Sequence, residues 1–251
     1  MAKSMIFNQS EFDLRCEWGG HGITQLAPIS DVIVVVDVLS FSTCVEIATS
    51  NGAIIFPYQW KNKSTLDYAK SLQAELAGDR TSKNSYSLSP TSLTKIPAET
   101  KLVLPSPNGS SLTLQTGKTP TLAGCLRNCQ AVAEFAQKYG SKIAVIPAGE
   151  RWEDGTLRLA YEDLIGAGAI LSYLHGSFSP EAEIAVSAFH AVNNNLLAYL
   201  KKCISGKELI ARGFESDVEI AAALNVSDCV PLFTENAYIN SKAQVQPRLL
   251  P

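Results

Sequence analysis

Charge is scarce in this chain and long apolar runs are missing. Asp, Glu, Lys and Arg make up 18% of the 251 residues, too few for a disordered, solvated chain. The formal net charge is -3 and no Lys/Arg cluster stands out, which argues against a nucleic-acid binder. No apolar stretch reaches the ~18 residues a bilayer span needs. Glu11, Asp13 and Arg15 stand where a secretory signal needs an apolar run. The expectation is a cytoplasmic protein with neither a membrane nor a nucleic-acid partner.

Histidine is also rare. His21, His175 and His190 form no ligand pair, and His21, beside Gly19, Gly20 and Gly22, is the one in a loop-like setting. The six cysteines are scattered. Cys125-Leu-Arg-Asn-Cys129 lacks a second pair at zinc spacing, so the cysteines read as small buried hydrophobes in a reducing compartment. There is no Gly-x-x-x-x-Gly-Lys-Ser/Thr loop, no Gly-x-Gly-x-x-Gly fingerprint and no Gly-x-Ser-x-Gly elbow. Asp37 ends an apolar strand as in haloacid-dehalogenase-type phosphatases, but Leu39 stands where their second Asp belongs.

What is present is a hydrophobic content of 46%, enough for one large core. Phe12, Leu14, Cys16 and Trp18 alternate with polar residues and predict a half-exposed strand. Residues 31–36 are apolar on both faces, the mark of a strand buried on both sides. Further strands are expected at 53–56, 102–104, 121–123 and 142–146. Helices are expected at 42–50, 64–76, 128–139, 160–174, 180–199, 207–212 and 217–224. The Ser/Thr/Asn/Pro-rich run 81–97 reads as a loop or flap. Alternating strands and helices predict a three-layer α/β/α fold with a mostly parallel or mixed sheet. The expectation is one domain over 1–251, with a small subdomain or flap around 78–100. Ligands of such folds bind beyond the strand C-termini, and polar turns follow Val36, Leu104 and Ile146.

Three segments carry candidate chemistry. In Asp37-Val-Leu-Ser-Phe-Ser-Thr43, Asp37 is placed to ligate a hard cation. Ser42 and Thr43 open a helix whose free N–H groups suit a phosphate, or else only cap it. In Pro105-Ser-Pro-Asn-Gly-Ser110, Ser106, Asn108 and Ser110 offer neutral hydrogen bonds around Gly109, or make an ordinary turn. The third segment runs from Pro147-Ala-Gly-Glu-Arg151 to Tyr161-Glu-Asp163; Glu162 and Asp163 precede an apolar helix, and adjacent helical positions diverge by about 100°, so one is a metal ligand candidate and the other a cap or brace, or both only complement the helix dipole. Gly166 and Gly168 cost that helix about 1 kcal/mol each against Ala, which close packing on the sheet would explain. Arg80 and Arg151 are phosphate-clamp candidates.

At these residues the chain resembles the 2-phosphosulfolactate phosphatase family. Val34-Val-Val-Asp-Val-Leu39, Gly78-Asp-Arg80, Leu88-Ser-Pro90, Ser106-Pro-Asn-Gly-Ser110, Glu162-Asp-Leu-Ile-Gly-Ala-Gly-Ala-Ile170 and the Gly213 to Asp217 spacing follow that family's motifs in order. Where the family commonly has Arg after Asp-Val-Leu, this chain has Ser40. The resemblance implies Mg²⁺-dependent hydrolysis of a phosphoester next to a sulfonate, in coenzyme M biosynthesis. It implies catalytic roles for Asp37, Asn108, Glu162 and Arg80, and metal ligands among Asp37, Glu162 and Asp163. Ser42, Thr43, Ser106, Gly109, Ser110 and Arg151 would then bind substrate. A homodimer is the base expectation for a compact enzyme. The rival readings are a non-catalytic phospho-ligand binder and a phosphatase for another small phospho-acid.

Overall fold

The computed structural model describes residues 8–59, 63–82 and 85–241. Residues 83 and 84 of the expected flap lie outside the described residues. In chain order the elements are β1 (Leu14–Cys16), α1 (Gly19–Leu26), β2 (Val32–Val36), α2 (Phe41–Ser50), β3 (Ile54–Tyr58), α3 (Lys63–Leu72), β4 (Glu75–Leu76), α4 (Pro90–Leu93), β5 (Lys101–Pro105), α5 (Gly109–Gln115), β6 (Thr121–Gly124) and α6 (Cys129–Tyr139). There follow β7 (Ile143–Pro147), β8 (Glu150–Arg151), β9 (Leu157–Arg158), α7 (Tyr161–Leu171), α8 (Pro180–His190), α9 (Leu196–Lys202), α10 (Ile204–Ala211), α11 (Glu215–Ala221), β10 (Pro231–Thr234) and β11 (Ala237–Asn240).

Nine strands form one mixed sheet in the order β1-β7-β2-β6-β10-β11-β3-β5-β4. Strand β2 shows why the fold is layered. All five of its residues are buried. Val32, Val34 and Val36 pack with residues of α6, α7 and α8, whereas Ile33 and Val35 pack with Ile23 and Leu26 of α1 and Leu112 of α5. Burying each such side chain favours folding by about 1.5–3 kcal/mol, so both faces need a helical cover.

Alternation misleads at β1, which is buried throughout rather than half exposed. Arg15 between its apolar neighbours turns inward, and its Nη2 donates to the Ile29 carbonyl and to Ser30 Oγ. Nor do the strand C-termini share one edge, as a mostly parallel sheet would have them do. β1, β7, β2 and β6 are parallel to one another, and so are β3, β5 and β4. The β10–β11 hairpin joins the two blocks through antiparallel pairings on both sides, so the blocks run in opposite directions. β2 and β5 are separated by β6, β10, β11 and β3. The polar turns after β2 and β5 nevertheless meet. Strand-to-strand twist of about 20–25° per step rotates one block against the other.

The expected helix over 180–199 is two helices, broken by the Asn193–Asn195 turn, where Asn side chains compete for the backbone. Glycine pattern hid α1, and the short hairpin, turning through Glu235 and Asn236 at positive φ, left no periodic signal. On α7 the two glycines act differently. A Cβ on Gly166 would stand 2.6 Å from Val38 Cγ2 against the strand end, but one on Gly168 would meet the Ala185 carbonyl of α8. Of the described residues, none belongs to a helix long and apolar enough to cross a membrane.

Candidate active site

Asp37 leaves β2 directly at a pocket of about 190 Å³, whose lining includes Ser40, Arg80, Asn108, Glu150 and Arg212. Its carboxylate is held by backbone. Phe41 N–H donates to Oδ1 at 3.0 Å, and Gly109 N–H donates to Oδ2 at 3.0 Å. Gly109 is glycine for a steric reason, since any Cβ there would enter the Phe41 ring. Each Asp37 oxygen keeps a further lone pair for a ligand. The turn after β5 thus serves the carboxylate that follows β2.

The same turn positions Asn108, whose Nδ2 donates to Glu150 Oε2 at 2.9 Å. Glu150 starts β8, just beyond β7, the sheet neighbour of β2. Sequence reading includes this residue in a candidate segment but assigns it no role. A signal for it exists: like Asp37, it is a carboxylate just past the end of a fully buried strand, and Gly149 before it turns the chain at φ 69°.

Glu162 and Asp163 divide as adjacent helical positions should. Asp163, like Asp37, takes one backbone N–H on each oxygen, Oδ1 from Val38 at 2.8 Å and Oδ2 from Gly149 at 2.9 Å, but unlike Asp37 it does not line the pocket. Asp163 therefore ties the segments after β2 and β7 together, as a brace. Glu162 is buried behind the pocket, and its Oε2 has no hydrogen-bond partner.

Arg80 closes the opposite wall. Its Nη1 donates to Asp217 Oδ2 at 2.9 Å and its Nη2 to Ser40 Oγ at 2.7 Å. Asp217 Oδ1 also accepts from Ser89 Oγ, Thr91 N–H and Thr91 Oγ1. The flap expected around 78–100 is thereby pinned to α11, and a guanidinium stands against Ser40, the position where the family commonly carries its own Arg.

Burial and mutual repulsion raise the acids here. Asp37 is pushed up to about 6, chiefly by desolvation and further by Glu162, against the pull of its backbone donors and Arg80. Glu150 is pushed up to about 7, by desolvation and then by Asp37 and Glu162, with the Asn108 bond opposing. Asp163 is raised by desolvation and by Asp37 and Glu162. A site that concentrates uncompensated carboxylates and a bare buried oxygen fits a hard divalent cation. Among the described residues no three His, Cys, Asp or Glu side chains stand close enough to cage an ion.

Several expected ligands have other tasks. Ser42 Oγ accepts from Asp37 N–H and donates to the Val35 carbonyl. Thr43 Oγ1 donates to the Val38 carbonyl, and Ser110 Oγ to the Leu104 carbonyl. All three are fully buried, so they fasten the turns rather than face a phosphate. Ser106 lines the pocket and accepts from Asn108 N–H at 3.3 Å. Arg151 does not join the site. It is exposed, donates to the Gly155 carbonyl, and faces a separate cleft of about 570 Å³ with His21. Asn108 and Glu150 form the wall shared by cleft and pocket.

Residues 22–236 match the family described as 2-phosphosulpholactate phosphatase. A protein of Methanothermobacter thermautotrophicus named 2-phosphosulfolactate phosphatase is 32% identical over 136 residues, which are 53% of this chain and 56% of that protein. A probable 2-phosphosulfolactate phosphatase of Carboxydothermus hydrogenoformans is 31% identical over 207 residues, 79% of this chain and 84% of that protein. One of Thermotoga maritima, with the same name, is 28% identical over 229 residues, 85% and 96% of the two chains.

Proposed function

The chain belongs to the 2-phosphosulfolactate phosphatase family, and on that premise we propose that it is a phosphoric monoester hydrolase converting 2-phosphosulfolactate to sulfolactate and phosphate with the help of Mg²⁺. The observation that carries the reading is the pocket in which Asp37 and Glu150 face Arg80, carboxylates for a cation on one side and a guanidinium for an oxyanion on the other.

Phosphoryl transfer demands positioning and neutralisation of charge more than covalent help from the protein. Asp37 and Glu150, which line the pocket, would hold Mg²⁺, which when bound offsets phosphate charge and favours ionisation of water, and Glu162 adds negative charge near both. Arg80, oriented by Asp217 and Ser40, binds phosphate oxygens with the donors it has left. Asn108 spends one amide proton on Glu150 and keeps the other for the substrate. As water attacks phosphorus and the ester P–O bond breaks, the leaving alkoxide needs a proton. The attacking water gives up a proton as it bonds to phosphorus, and so supplies one. Asp163 keeps the two carboxylate-bearing turns in register.

Ser40 in place of the family's Arg is the feature that speaks for a non-catalytic binder. Arg80 Nη2 lies 2.7 Å from Ser40 Oγ, so the pocket has a cation at that point and the enzymatic reading is preferred. Phosphate release from 2-phosphosulfolactate, 2-phospholactate and phosphoenolpyruvate, each with and without MgCl₂, tests it. Turnover of the first, lost on chelation, is the expected result. Ligand-induced stabilisation with no phosphate release from any of them would favour the binder instead.

A further inference from the structure

Resting on the phosphatase reading above, we propose that Arg212 is the specificity-determining residue that binds the substrate's remote acidic group, and so selects 2-hydroxy-acid phosphoesters bearing a second strong-acid group.

The arginine wall of the pocket holds two guanidinium groups with different freedom. Arg80 Cζ lies 5.7 Å from the centroid of the Phe214 ring, and Arg212 Cζ lies 5.8 Å from the same centroid. The ring gives both cations a common platform. Arg80 is fixed: its side chain is 12% exposed and its paired carboxylate, Asp217, is 1% exposed. Arg212 is 53% exposed, and its one ion pair is to Glu208 at 3.1 Å, itself 61% exposed. Exposed pairs of this kind contribute little and exchange readily. Arg212 lines the same pocket as Asp37 and Glu150, and also the hollow beyond Arg80 formed with Gly78 and Asp79.

Its backbone is well placed for the task. Arg212 caps the C-terminus of α10, its N–H donating to the Glu208 and Leu209 carbonyls, an end of a helix where positive charge is favoured. Gly213 then turns the chain at φ 85°. The stem is therefore anchored, and the guanidinium lines the pocket beside Glu208. With a phosphate at Asp37, Asn108 and Arg80, Arg212 is, among the described residues, the remaining cationic side chain of the pocket lining for the far end of a three-carbon acid. A sulfonate there is anionic at every working pH and offers oxygens in the spacing a guanidinium fork accepts. The group lies away from the breaking P–O bond, so it is bound alike in ground and transition states and acts on KM.

The test compares kcat and KM for 2-phosphosulfolactate and 2-phospholactate, with MgCl₂, in the wild type, Arg212→Gln, Arg212→Lys and Glu208→Gln. Loss of one charge-assisted contact predicts that Arg212→Gln raises KM for the sulfonated ester by roughly ten- to a hundredfold, with kcat nearly unchanged. The preference over 2-phospholactate then collapses. Arg212→Lys restores part of the preference, because it keeps the charge without the fork, and Glu208→Gln retains it or sharpens it. An Arg212→Gln enzyme that keeps the wild-type preference overturns the proposal. Calorimetric titration with sulfolactate supplies a second readout that needs no turnover. Weaker binding in Arg212→Gln supports the role even where neither ester is hydrolysed, an outcome that would remove the phosphatase reading alone. Equal binding by both proteins rejects the role.

Discussion

On the Asp37 side of the pocket negative charge is gathered and left without a cation, whereas on the Arg80 side charge is paired almost to completion. Asp37, Glu150, Glu162 and Asp163 come from three separate segments, and no Lys or Arg is ion-paired to any of them among the described residues. Their hydrogen bonds come mainly from backbone N–H groups, donors that orient a carboxylate without cancelling its charge. Arg80, by contrast, meets Asp217, and Asp217 meets Ser89 and Thr91. Buried charge that is satisfied holds a structure together. Buried charge that is oriented but left unneutralised is poised for something that arrives later, here a cation and a phosphate. The comparison separates site from scaffold better than residue type does, since both walls contain an Asp at 6% exposure or less.

The sharpest way to break this distinction is Asp37→Asn. Loss of a preorganised group of this kind predicts a fall in kcat of at least about 10²–10³, measured as phosphate release under saturating Mg²⁺. The geometry ties stability to the same carboxylate. Asp37 accepts from two backbone N–H groups on different oxygens, and an amide has one oxygen. One donor is left facing an NH₂, at a cost of about 1–3 kcal/mol, so a lower Tm accompanies the lost turnover.

Asp217→Asn tests the other wall. Removing one partner of a buried ion pair costs about 3–5 kcal/mol, and the amide keeps the shape. The expected outcome is a lower denaturation midpoint together with a raised KM, because Arg80 loses its orientation. Unchanged stability would mean that Arg80 finds another partner, and that the two walls are less different than the geometry makes them.

The smallest effect is on pH dependence. Asp37 is raised from an ordinary 3.8 to about 6, and Glu150 from 4.5 to about 7. The folded protein therefore binds protons more tightly than the unfolded chain across this window. With chelator present, stability falls as pH rises from about 4 to 7. This is the reverse of a salt-bridged carboxylate. Added MgCl₂ is expected to raise Tm more at pH 7.5 than at pH 5. A Tm shift from MgCl₂ that is equal at both pH values would contradict the assignment of the cation to these acids.

Much of this was legible in the sequence for identifiable reasons. The run Val32–Val36 has no polar face, so it had to lie between helical layers, and an acid at its end had to reach the rim. The Gly-rich stretch of the helix at Tyr161–Leu171 announced close packing. Glu150 was given no role because it carries no periodic signal and sits in a hairpin strand only two residues long. For Ser42, Thr43 and Ser110 two readings stayed open, because a hydroxyl next to a helix start has the same sequence whether it faces solvent or the carbonyl of the preceding turn. Arg80 and Arg151 look equivalent as letters. One is drawn in by Asp217, 137 positions away, and the other stays at the surface.

By itself the sequence determined the layered α/β architecture, the acid after the central strand and the turn that serves it, because hydrophobic period and glycine placement are local properties of the chain. Only the tertiary structure decided which oxygens remain free. That question depends on which backbone N–H groups arrive from distant segments: Gly109 reaches Asp37 only after the two opposed blocks of the sheet have come together, and Val38 and Gly149 reach Asp163 only once the helix at Tyr161–Leu171 has packed on β2 and β7.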